Sequence, residues 1–245
     1  MRESPESASK EQVPRASRKD GRDAVSAALA AFDGWSARTA YEFSLWMAGD
    51  LAAAQRMNDE QIALGEVDPA LGLATVGLST ADSYWHRGVI LTDVGRLQEA
   101  AEALRCAHER AHRFGENEIA SWIDFWWVRS LERAGDASGA LSMGRRAIEA
   151  TEKIGSVLGR VNSYGHYGMA CVLNRGWQSA RENLEIALEL GRAFQARHML
   201  DYEYMAALAE AHLASSDEPR ARQLSEEAIE TAVRFQRRAG EVRAR

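Results

Sequence analysis

His108-Glu109-Arg110-Ala111-His112 is the stretch of this 245-residue chain whose residue types and spacing most directly suggest a reaction. On a helix, H-E-x-x-H sets two imidazoles one turn apart on a single face. There they can bind zinc, with the glutamate as general base. Glu132, 20 residues beyond His112, offers a third ligand. Taken alone, the motif describes a zinc hydrolase. Nothing else in the chain spells out catalysis. There is no G-x-S-x-G nucleophile elbow, no C-x-x-C and no P-loop, and His86, His166, His198 and His212 are scattered.

The element that carries the motif argues against the metal. One phrase is written four times: Ala100, Leu104, Ala107 and Phe114; Ala140, Met143, Ala147 and Ile154; Ala180, Leu184, Ala187 and Phe194; Ala221, Leu224, Ala228 and Phe235. Its alanines at 107, 147, 187 and 228 are 40, 40 and 41 residues apart. Within the phrase the steps of four, three and four through Ala100, Leu104, Ala107 and Ala111 place all of these on one helical face. His108 then aligns with Ile148, Leu188 and Ile229, which are core types. Glu109 aligns with Glu149, Glu189 and Glu230, so the glutamate recurs in copies that have no histidine. The expectation is a packed helix without an open coordination position, no cofactor and no metal.

Self-similarity at such a period is the signature of a solenoid, whose neighbouring units bury a shared core and present an extended surface. The composition agrees. The chain is 46% hydrophobic and 27% charged, the balance of a folded soluble protein. Its four prolines stand at 5, 14, 69 and 219, which leaves long stretches free to be helical. The net charge of −6, with arginines interspersed among glutamates, gives no basic stripe for nucleic acid. No apolar run approaches the ~20 residues needed to cross a bilayer, and the first twenty residues lack a secretory apolar stretch. Cys106 and Cys171 are too few for a disulfide framework and read as reduced, buried thiols of a cytoplasmic protein.

Residues 1–20 are polar and aperiodic, and are expected to be disordered. Residues 21–245 form the repeat domain, about five helix pairs. The first helices are expected near Arg22–Phe32, Ala37–Ala48 and Leu51–Leu64. An irregular stretch, Gly65 to Ser79, lengthens the first unit: Ala54 to Ala100 is 46 residues. Each later unit has an aromatic-rich helix A, a break at Gly95, Gly135, Gly176 or Ser216, and an amphipathic helix B. Asp136 and Asp217 are expected N-caps, and Pro219 fits a first turn. No strand-like alternation is sustained, so the fold class is all-α.

Tyr84, Gly88 and Leu91 leading to Ala100, Leu104 and Ala107 resemble a tetratricopeptide repeat, as do Tyr164, Tyr167, Gly168 and Cys171 leading to Ala180, Leu184 and Ala187. Trp127 and Leu131 lead likewise to Ala140 and Ala147, but Gly144 stands where a bulky residue is expected. Leu224 falls one place early, the period is longer than the usual 34, and the closing proline is missing. The resemblance implies an antiparallel helix-hairpin solenoid with a right-handed superhelix. More narrowly, Gly95-Arg-Leu-Gln-Glu-Ala100, Ala147-Ile-Glu-Ala-Thr-Glu-Lys-Ile-Gly155 and Leu208-Ala-Glu-Ala-His-Leu213 are similar to the C-terminal repeat region of bacterial signalling proteins with a class III adenylate or guanylate cyclase domain and an AAA-type ATPase. Similar arrays occur in large ATP-binding transcription regulators. Gly240-Glu-Val-Arg-Ala-Arg245 reads as the opening of another helix A, so the array is expected to be a fragment or a stand-alone descendant of a larger protein.

In the family, helix A lines the concave side. Carried over, the partner-binding residues are Trp85, Val89 and Asp93; Trp122, Phe125, Arg129 and Arg133, with Glu132 beside them; Asn162 and Met169; and Glu203, with Glu210. The resemblance thus implies a non-catalytic scaffold for a protein or peptide segment, with homodimerisation through the exposed ends left open. The cluster Trp122, Phe125, Trp126 and Trp127 supports a second reading, a sensor of a small molecule or peptide. The zinc hydrolase is the third.

Overall fold

Each repeated alanine is where two helices meet. The computed structural model describes residues 35–68, 79–194 and 200–234. Among these, ten helices follow one another: α1 (Trp35–Met47), α2 (Leu51–Val67), α3 (Ala81–Asp93), α4 (Leu97–Phe114), α5 (Asn117–Arg133), α6 (Ala137–Ile154), α7 (Val157–Leu173), α8 (Trp177–Ala193), α9 (Asp201–Ala214) and α10 (Glu218–Arg234). The expectations for residues 1–20, for a helix over Arg22–Phe32, for most of the Gly65–Ser79 stretch, for Phe235 and for Gly240–Arg245 lie outside the described residues. No strand occurs among the described residues.

Ala107, Ala147, Ala187 and Ala228 have no exposed surface, while Glu109, Glu149, Glu189 and Glu230 beside the next positions are exposed. One stripe of helix B therefore faces inward and the glutamate stripe faces water. The pairing of small with large is concrete. A Cβ on Gly88 would come within 2.5 Å of Leu104, and one on Gly168 within 2.6 Å of Leu184. Gly144, the departure from the family pattern, is explained by Tyr167 of α7, which fills the space a side chain there would need. A substitution at any of these positions would overpack the hairpin.

Chain reversal is local chemistry. Gly95 and Gly135 turn the A–B hairpins, and Gly115 and Gly155 close α4 and α6, all at positive φ. At the break near Gly176, Arg175 (φ 57) takes the left-handed position and Gly176 follows it at φ −82, while Ser216, the expected break residue, takes φ 62. Asp136 caps α6, accepting the Gly139 N–H at 2.8 Å, and Asp217 accepts that of Arg220 at 3.3 Å. Cys171 is buried, whereas Cys106 is half-buried, a correction to the expectation of two buried thiols.

The A helices α1, α3, α5, α7 and α9 pack in sequence, each on the next, whereas the B helices pack on A helices and meet one another only through long side chains, as Arg110 of α4 reaches Glu66 of α2 at 2.8 Å. The A helices thus form one continuous layer and the B helices the other. The A layer is therefore the more closely packed of the two. No helix of the described residues is long and apolar enough to cross a membrane.

Candidate partner-binding face

Most of the residues expected to line the A-helix face are buried in the structure. Trp85, Val89, Phe125, Arg129, Asn162, Met169 and Glu203 are all buried. Trp122 is half-buried, and Asp93, Arg133 and Glu210 are exposed residues, although the Asp93 side chain is only 21% exposed. The physical reason is that A helices two units apart also touch. Trp46 of α1 meets Trp126 of α5 edge to face, with ring centroids 5.6 Å apart. Arg129 of α5 reaches past α7 to Glu203 of α9, Nη1 to Oε2 at 2.6 Å. These contacts bury Trp46, Trp126, Arg129 and Glu203 within the layer.

Several expected residues do converge there. Arg129 also contacts Asp93 of α3 at 3.2 Å, and lies 5.7 Å over the Trp126 ring. The Trp46 indole N–H donates to the other oxygen of Asp93 at 2.8 Å, and the Tyr202 hydroxyl donates to Glu203 at 3.1 Å. Arg133 stands 3.9 Å from Glu203. Burial by itself would lower the pKa of Arg129, but the Glu203 and Asp93 carboxylates outweigh it and raise that pKa, so the guanidinium stays charged. Trp85 and Trp122 lie edge to face, 5.7 Å apart. Asn162 accepts the Tyr204 hydroxyl at 3.0 Å, and burial pushes the tyrosine pKa well up. Met169 is core packing.

The tryptophan cluster divides by helical phase. Trp126 joins the A layer against Trp46, Phe125 and His166, while Trp127 turns back toward His108 at 6.4 Å. It is packed against neighbouring rings rather than lining one pocket. Two clefts lie elsewhere. One of about 420 Å³ is bordered by Gln55, Tyr84, Arg87 and Cys106, and one of about 260 Å³ by Leu188, Met205 and Arg234.

At the H-E-x-x-H motif, His108 and His112 approach each other, Nε2 to Nε2 at 3.2 Å. His108 Nε2 is also 3.3 Å from Asp124, a carboxylate that Arg146 holds with Nη2 at 2.5 Å and Nε at 3.2 Å. The guanidinium neutralises the carboxylate that lies beside His108. Among the described residues no group of three or more histidine, cysteine or acidic side chains is arranged to hold a metal. His212, expected in the core, is mostly buried, with its Nδ1 3.0 Å from Asp217.

Sequence reasoning missed a second polar centre. Glu42 of α1 and Asp82 and His86 of α3 are buried together, and Asn58 of α2 donates to Glu42 at 3.1 Å and to the Ser83 carbonyl at 2.8 Å. A signal was present: Asp82 and His86 share a face at i, i+4, and Glu42 interrupts an aromatic-rich stretch between Tyr41 and Phe43.

No protein-family model matches the chain, and no curated protein matches its sequence. Solved structures resemble it in fold. One is a signal transduction ATPase with numerous domains and a tetratricopeptide repeat sensor, from Pyrococcus horikoshii, at 15% identity and a TM-score of 0.59. It matches 85% of this chain, which spans only 31% of that protein's length. Another is a kinesin light chain protein with nearly identical tetratricopeptide-like repeats, from Podosopora anserina, at 17% identity and a TM-score of 0.57, covering 82% of this chain and 96% of that one. Likeness at this identity is one of fold, and with the helix pairing above it makes this chain an all-α, tetratricopeptide-like helical-repeat solenoid.

Proposed function

We propose that the chain is a non-catalytic scaffold that holds a protein segment against its A-helix layer, as the regulatory part of a bacterial, cytoplasmic signalling or transcription-control system. The observation that carries this reading is a set of donors without acceptors. The indole N–H groups of Trp85 and Trp122 and the Nε–H of Arg129 are closed off from water and find no partner among the described residues. Leaving such a group unpaired costs about 1–3 kcal/mol each. An entering chain has backbone carbonyls and carboxylates, which are the acceptors these donors need. Trp and Arg are also the side chains most often found at binding hot spots. Half-buried Trp122 and exposed Arg133 form the accessible rim, and entry beyond them opens the contacts made by Trp46 and Arg129.

The tetratricopeptide repeat sensor of the Pyrococcus horikoshii ATPase supports the regulatory assignment. The net charge of −6 supports a protein partner rather than nucleic acid. The residues assigned to the partner are Trp85, Val89, Asp93, Trp122, Phe125, Arg129, Arg133, Asn162, Met169 and Glu203, of which Trp122 and Arg133 make first contact.

A photo-crosslinking residue in place of Trp122 tests the reading, beside one in place of Glu149 on the exposed face of α6. Crosslinks from position 122 that disappear with Arg133→Glu are expected. Crosslinks from position 149 alone would overturn the assignment of the A-helix face.

A further inference from the structure

We propose that Glu42, His86 and Asp82 form a proton-dependent latch holding the N-terminal hairpin α1–α2 onto the rest of the array. His86 Nδ1 lies 3.4 Å from Glu42 Oε1 across the α1–α3 contact, and its Nε2 lies 3.9 Å from Asp82 Oδ1 one turn back along α3. All three side chains are buried. An imidazolium set between two carboxylates attracts both. A neutral imidazole can donate from only one ring nitrogen, and leaves the buried carboxylates facing each other uncompensated. The proton on His86 therefore decides whether α1 is drawn to α3 or pushed from it.

The surroundings leave few other charges to intervene. Asp82 and Glu42 are the charged groups acting on His86. From α2 come the uncharged Asn58, bonded to Glu42, and Gln61, which accepts the Ser83 hydroxyl at 3.2 Å. From α1, the Phe43 ring stacks on the imidazole at 5.7 Å, and on α3 the Trp85 ring tilts against it at 4.7 Å. The cluster is thus walled by aromatic rings, which keep water from screening it.

Both titrations act in the same direction. Burial pushes the His86 pKa down, but Asp82 and Glu42 outweigh it and raise it to about 9, from an ordinary 6.5. The stabilisation from its proton is complete below about pH 6.5 and is lost as pH rises through about 9. Burial raises the pKa of Glu42 above its ordinary 4.5, more than His86 lowers it. Its ionisation therefore also weakens the folded state as pH rises. The hairpin is held most tightly on the acid side and loosens toward alkaline pH. Release of α1 would carry Trp46 away from Trp126 and Asp93.

The test uses the full chain. Amide exchange, corrected for its intrinsic pH dependence, is followed helix by helix from about pH 6 to about pH 10, alongside an NMR titration of the histidine side chains. The expected result is a loss of protection on the order of tenfold or more in α1 and α2, centred where His86 titrates, with α6 to α8 unchanged. His86→Asn should leave the hairpin loose and remove the transition seen where His86 titrates in the wild type. Glu42→Gln should shift the wild-type transition to lower pH. If His86→Asn does not fold, the wild-type profile decides. Protection lost equally in all helices, or a His86 that titrates at its ordinary value, would overturn the latch.

Discussion

The joint that ties α1–α2 to the array and the joints within the array are built from opposite materials. At the first, Glu42, Asn58, Gln61, Asp82, Ser83 and His86 are buried side by side. At the α6–α7 joint the corresponding space is filled by Ala147, Gly144 against the Tyr167 ring, and a single hydroxyl pair, Thr151 to Ser163 at 3.3 Å. An alanine joint is non-directional, and its cohesion follows buried area under most solution conditions. A charged joint is directional, and holds only while every partner carries the right proton. The repeated joints give the array its form, while the first joint makes one hairpin's attachment conditional. The A-layer bridge of Arg129 belongs with the first joint in kind, because it too is buried charge between helices distant in sequence.

The largest expected effect tests that grouping. Arg129→Ala leaves Glu203 and Asp93 without their guanidinium, and should cost about 3–5 kcal/mol in chemical denaturation. A loss below about 1 kcal/mol would mean the bridge is solvated. Ala147→Leu probes the apolar kind. Overpacking should destabilise by about 1–3 kcal/mol, with the same loss across the neutral range. An unchanged unfolding midpoint would contradict the close approach of α6 to its neighbours. Asp136→Ala removes the cap of α6 and should cost about 1 kcal/mol. An effect confined to α6 exchange, without a shift in global stability, would show that the regular units can fray singly. The smallest effect sharpens the division between buried and surface charge. Arg133 has a side chain 45% exposed and sits 3.9 Å from Glu203, so Arg133→Ala should change stability by less than about 1 kcal/mol.

Much of the fold was legible because it is local. Ala107, Ala147, Ala187 and Ala228 mark buried positions at helical spacing, and Gly95 and Gly135 mark turns that need positive φ. At the break near Gly176 the left-handed position falls on Arg175, the residue before the glycine. The face was legible only in part. That Arg129, Asp93 and Glu203 lie on one layer followed from their places in helix A, but that they bind one another did not. His108 and His112 were readable as a pair, yet the Arg146 guanidinium that neutralises the nearby Asp124 comes from a different helix.

By itself, the sequence determined the helices, their pairing into hairpins and the stripe by which each helix B is buried. Those depend on residues three to four, or about forty, positions apart, and the repetition writes them several times over. Only the tertiary structure decided that Arg129 and Glu203 are buried against each other, that the tryptophans divide between two surroundings, and that Glu42 meets His86. These outcomes depend on how steeply successive units are rotated against one another. That rotation is set by side-chain volumes in every joint at once, such as Tyr167 lying over Gly144. A small rotation per unit, summed over two units, determines whether Arg129 reaches Glu203 or faces solvent.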